Sequence, residues 1–216
     1  MKKIPMSSWL QNLFGGRRRS PKKRNSIPAS KIVPKQLETL EDRALLSAFN
    51  NIVPITINDN GAATPYPSQI NVVTANGVSA TVLDVNVTLN GVTHTFPDDI
   101  DALLVGPTGT SVMLMSDAGS TDLTTPIAGV NLTFDDSAAG FLPDGTQITS
   151  GSYQPTNYAA GDVLPAPNPA VTGPILSQFN GLNPNGNWSL YVSDDQALDV
   201  GSITSWGLNL TLGGAV

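Results

Sequence analysis

Cysteine is absent from all 216 residues, so no disulfide framework braces this chain and no thiolate is available as nucleophile or metal ligand. Lysine and arginine are absent beyond Arg43, which leaves the following 173 residues without a partner for a Lys or Arg ion pair. No stretch of about 18 consecutive apolar residues occurs, which excludes a membrane-spanning helix. No segment carries a convincing 3.6-residue apolar period, so amphipathic helices are not expected. Glycine (20) and proline (17) are plentiful, but together they make up only about a sixth of the chain, too little for a low-complexity polymer. With 40% hydrophobic residues the chain can build a core.

Charge divides the sequence into two objects. All 11 basic residues and only three acids (Glu38, Glu41, Asp42) lie at or before Arg43, a net charge of +8. The remainder holds 14 carboxylates, every one an aspartate, and a single histidine, His94. An acidic body without a fixed cation repels itself unless its carboxylates are solvated, spent on backbone N–H groups or neutralised by a hard cation. Aspartate suits the last two roles, because its short side chain bonds the local backbone and fits tight loops.

Residues 1–50 read as a basic, disordered arm, rich in Pro and Ser and lacking the apolar segment of an ordinary signal peptide. RRRSPKKR within it admits three readings: a solvated sorting tail, a phosphate-binding arm opposed by the acidic body, or dibasic processing sites. LETLEDRALLSA (37–48), a helical turn or two by its pattern, resembles the LEPR-XLL box found near the N-termini of large secreted or surface proteins of some environmental bacteria. Leu37, Glu38, Leu40, Glu41, Arg43, Leu45 and Leu46 carry the match, which implies an extracellular or cell-surface location.

Residues 51–216 are dominated by period-2 alternation. In TVLDVNVTL (81–89) Leu83, Val85, Val87 and Leu89 share one face; in NWSLYVSD (187–194) Trp188, Leu190 and Val192 do; in SWGLNLTL (205–212) Trp206, Leu208, Leu210 and Leu212 do. ALLV (102–105) and SVMLM (111–115) are apolar on both faces and predict strands in the middle of a sandwich. Asn76-Gly77 and Asn90-Gly91 read as hairpin turns. The Pro-rich stretch 154–174 predicts a surface loop. There is no internal repeat. The whole predicts an all-β antiparallel jelly-roll sandwich of about eight strands.

HTFPDDIDALLVGPTGTSVMLM (94–115) resembles the first half of the P domain, or P/Homo B domain, of subtilisin-like proprotein convertases. His94, Thr95, Asp99, Leu104, Pro107, Gly109 and Thr110 match without a gap, while Asp98 and Gly106 depart. LTFDDSA (132–138), SGSYQP (150–155) and FNGLNPNGNWSLYVSDDQALDVGSITSWGLNL (179–210) resemble later family segments in the same order. Together they span roughly residues 55–212. The resemblance implies a jelly roll that packs beside a subtilisin-type catalytic domain, supports its folding and contributes no catalytic residue. It links the chain to serine-type endopeptidases and proteolysis through a partner protease, the catalytic domain being expected on another chain. The rival reading is a calcium-stabilised adhesion or matrix protein of the cell surface, which the lack of trypsin-type cleavage sites in the body would suit. No nucleic-acid partner is expected.

Gly109-Thr110-Ser111 repeats the tripeptide around a subtilase nucleophile, yet Met113 and Met115 stand where an Ala and a Pro would follow. The run continues as a strand instead of opening a helix. No complete triad is visible, and Ser111 is expected to follow a hairpin tip. His94 is expected to hydrogen-bond a neighbouring loop or carboxylate, and Trp188 and Trp206 to lie in the core. For a metal, the candidates are the Asp clusters Asp98, Asp99 and Asp101; Asp135 and Asp136; and Asp194 and Asp199. Calcium, which takes 6–8 oxygens at about 2.3–2.6 Å, is the expected ion. The competing role for each is to cap a turn.

Overall fold

A computed structural model describes residues 44–74, 80–119, 125–158, 161–167 and 169–214. The chain divides into two units, Met1–Thr39 and Leu40–Val216, and every described element belongs to the second. The arm up to Arg43, with most of its sorting box, and the Asn76-Gly77 turn lie outside the described residues.

Among the described residues, thirteen strands form two sheets. In chain order they are β1 (Leu45–Asn51), β2 (Ile55–Ile57), β3 (Gly61–Ala62), β4 (Ser68–Val72), β5 (Ala80–His94), β6 (Ile100–Val105), β7 (Ser111–Ser116), β8 (Ile127–Phe134), β9 (Gly151–Tyr153), β10 (Thr156–Asn157), β11 (Gly186–Asp194), β12 (Gly201–Ile203) and β13 (Ser205–Gly214). The seven-stranded sheet runs β1-β13-β5-β12-β2, with β8 and β9 attached through β5. The six-stranded sheet runs β10-β7-β6-β11-β3, with β4 also on β11. Among the described residues helix is limited to two 3-10 turns, Pro97–Asp99 and Leu176–Phe179.

The alternating residues meet between the sheets. Trp206, Leu208 and Leu210 of one sheet pack in the same core as Leu104, Val112, Trp188 and Leu190 of the other. Each tryptophan buries its ring and satisfies its N–H: Trp188 Nε1 donates to the Pro184 carbonyl and Trp206 Nε1 to Ser68 Oγ, both at 2.9 Å. Phe179 closes the core over Trp188, ring centroids 4.8 Å apart. The all-β sandwich is as the alternation predicts, and β6 and β7 are buried on both faces.

Several details depart from the expectation. The strands outnumber eight because short pairings of two or three residues extend the sheets. The sheets are mixed, since β10 runs parallel to β7 and β9 parallel to β8. The folded unit starts earlier than residue 51: Leu45–Asn51, with the end of the sorting box, pairs in full with β13 instead of turning as a helix. Asn90-Gly91 is an irregularity inside β5, where the register with β8 shifts between Leu89 and Val92 and Gly91 takes φ 62°. Leu83 is half-exposed, because the β5–β13 register slips between Thr211 and Leu212 and turns Val82 inward in its place.

The Pro-rich stretch is more than a surface loop. Its Thr156–Asn157 forms β10, and Leu164 is buried against Leu103 and Met113 on the outer face of the six-stranded sheet. That second, smaller core explains why β6 and β7 are apolar on both sides.

Candidate functional site

A register shift in β7 shapes the acidic end of the six-stranded sheet. Leu103 pairs with Met113 and Ala102 with Met115, so Leu114 is an extra residue in β7. Met113 and Leu103 point to the outer core, whereas Leu114, Met115 and Ala102 point to the inner one. Alternation then carries Asp101 and Ser116 to the outer face. Their register neighbours Ser193 on β11 and Asn157 on β10 extend the same row across the sheet.

Asp117 follows β7 in a left-handed conformation (φ 48°) that Asp tolerates better than most residues. Asp162 enters from the Pro-rich loop. Carboxylate oxygens of Asp101, Asp117 and Asp162 all lie within 4.8 Å of one another. Ser116 Oγ is placed to donate to Asp117 Oδ2 at 2.8 Å and to Asp162 Oδ2 at 2.9 Å, although it carries one proton. Burial, offset in part by the Ser116 hydroxyl, and the charges of Asp162, Asp195 and Asp117 push Asp101 up to about 7.

Of the aspartates singled out from sequence, only Asp101 belongs to this group. Asp99 is buried nearby and is pushed up to about 7 by burial and by Asp194, Asp195, Asp199 and Asp98. Asp98 is raised by burial and by Asp117 and Asp144. Asp135 and Asp136 stand elsewhere, in turns. Asp135 Oδ1 accepts from Ser137 N–H and Oγ at 2.7 Å, and Asp136 accepts from Leu176 and Ser177 N–H at 2.9 and 2.8 Å. Asp194 Oδ1 accepts from Asn60 and Gln196 N–H at 3.3 and 3.1 Å. Asp117 and Asp162 escaped sequence reasoning, as they lie 16 and 61 residues from Asp101 with no local spacing to connect them.

His94 makes the contacts expected of it. Its Nδ1 lies 2.8 Å from the Phe96 carbonyl and Nε2 3.1 Å from Asp194 Oδ2. That last contact is at ion-pair distance without hydrogen-bond alignment. Burial raises the Asp194 pKa against the pull of Gln196 N–H and His94.

Ser111 is unconnected to this pair. Gly106 N–H donates to the Thr110 carbonyl at 2.8 Å, and Gly109 (φ 87°) turns the chain, so Pro107–Gly109 is a hairpin tip and Ser111 begins the return strand. The Ser111 hydroxyl donates to the Ala170 carbonyl at 2.5 Å, and Thr172 Oγ1 donates to the Ser111 carbonyl. His94 lies in the other sheet with its own partners, so among the described residues there is no Ser–His couple.

Two solved structures resemble the fold distantly. A chain of the Aeromonas sobria serine protease in complex with a chaperone has 16% identity and a TM-score of 0.45, with 81% of this chain and 28% of that chain covered. A chain of the same serine protease without the chaperone has 16% identity and a TM-score of 0.42, with 79% and 27% covered. This protein thus spans under a third of either. No curated protein matches. The proprotein convertase P-domain family matches residues 82–210, from β5 to the middle of β13. That match covers more than half of the sequence and most of the sandwich, and the chain belongs to the proprotein convertase P-domain family.

Proposed function

We propose that this chain is a non-catalytic module that binds and stabilises a subtilisin-like serine endopeptidase outside the cell. The observation that carries the reading is the family match across the sandwich. The separate partners of Ser111 and His94 support it, since the one histidine of the chain is not placed to act as a base for that serine. Export is supported by the box at residues 37–48, whose likeness is to secreted and surface proteins.

Affinity purification of the full chain from the secreted fraction of its own cells tests the reading: a subtilisin-like protease should co-purify, and its thermal inactivation should slow when the purified chain is added. An active-site fluorophosphonate should label the protease and leave Ser111 of this chain unmodified. Labelling of Ser111, or a protease whose inactivation is unchanged by the chain, overturns the proposal. One observation favours a second reading, a surface or matrix protein: the body lacks Lys and Arg and so resists trypsin-type cleavage. Recovery of envelope material or polysaccharide without any protease would select it.

A further inference from the structure

We propose that Asp101, Asp117 and Asp162 form a calcium site on the outer face of the six-stranded sheet, completed by neutral oxygens of Asn157 and Ser193. Three carboxylates converge there, all within 4.8 Å of one another. Oxygens bonded to one calcium at about 2.3–2.6 Å can stand up to about twice that distance apart, so a single ion can reach all three. The chain has no Lys or Arg beyond Arg43 with which to neutralise them, and among the described residues the Ser116 hydroxyl is the donor shared between Asp117 and Asp162.

A second, independent feature points to a ligand. Ser193 is 1% exposed, and its Oγ is buried without a hydrogen-bond partner. It is the cross-strand partner of Asp101 on the same face of the sheet. Asn157 Oδ1 is likewise buried and unpartnered, opposite Ser116 in register and in one cleft wall with Asp162. A buried oxygen left without a partner is costly. Two such oxygens in register with this group add to the donor set a hard cation takes: oxygen only, mixed in charge and drawn from three strands, the residue after β7 and a loop. The absence of a thiol or imidazole among these groups argues against zinc.

The ion would join the start of β6 and the end of β7 to the Pro-rich loop. It would thereby fasten the covering segment that buries Leu164.

Melting of the full chain in calcium, in magnesium and in EDTA tests the site. At a hundredfold excess over the dissociation constant, calcium should raise the melting temperature by about 5–10 °C over EDTA. Affinity of order 10⁻⁴–10⁻³ M suits an extracellular module. Tyrosine-excited terbium luminescence, with Tyr66 and Tyr191 on the same outer face, should rise on titration and fall when calcium competes. D117N and D162N should each abolish the calcium shift while melting in EDTA no lower than the parent, because each removes a repelling charge. D135N should keep the shift. An unshifted parent, or a shift retained in both D117N and D162N, overturns the proposal. A shift given equally by magnesium overturns its assignment to calcium.

Discussion

Asp136 stabilises its turn through backbone alone. Its two carboxylate oxygens accept one N–H each from Leu176 and Ser177 at the start of the second 3-10 turn, the segment that brings Phe179 over Trp188. Replacing it with alanine strands both donors and should cost about 1–2 kcal/mol. Chemical denaturation should show that loss equally with calcium and with EDTA, and D136N should recover part of it. A loss confined to calcium-containing buffer would contradict the capping role. From sequence, the pair Asp135-Asp136 looks as suited to a cation as to a turn, because residue type alone does not say where the oxygens point. Asp117 and Asp162 were hidden for a different reason. They meet Asp101 only through the β6–β7 register and the path of a loop, neither of which leaves a mark in local spacing.

At the scale of strands, alternation is a faithful guide until a register slips. Trp188, Leu190, Val192, Trp206, Leu208 and Leu210 all face inward as their spacing predicts. Leu83 does not, and the extra Leu114 reverses the faces of everything after it in β7. One inserted residue moves a side chain across the sheet, and no propensity marks it. The start of the fold was obscured too. Leu45–Asn51 continues a segment rich in charge, and its pairing with β13 is a long-range event. Asn51 fixes the strand's end by donating from Nδ2 to Ser68 Oγ at 3.2 Å and to the Gln69 carbonyl at 2.9 Å. A chain shortened to begin at Ile52 should expose the β13 edge, melt lower than one beginning at Ala44 and aggregate on heating. Equal melting and solubility of the two would mean that β1 adds nothing to the sandwich.

Over the whole molecule, the acidic body sets how stability responds to pH. Burial and neighbouring charge raise Asp98, Asp99, Asp101 and Asp195, with Asp99 and Asp101 reaching about 7 against the ordinary 3.8. The folded chain therefore holds more protons than the unfolded one between those values. Its stability from these groups is full below about pH 4 and is lost as pH rises through 7. In EDTA the urea midpoint should be higher at pH 5 than at pH 8, and calcium should narrow the difference by binding the ionised form. A midpoint that climbs with pH in EDTA would refute this.

The sandwich is also a protein surface with no primary amine. Every lysine lies at or before Lys35. Reagents that need a lysine amine, acylating agents and aldehydes among them, can therefore modify side chains only at or before Lys35 and find none to attack in either sheet.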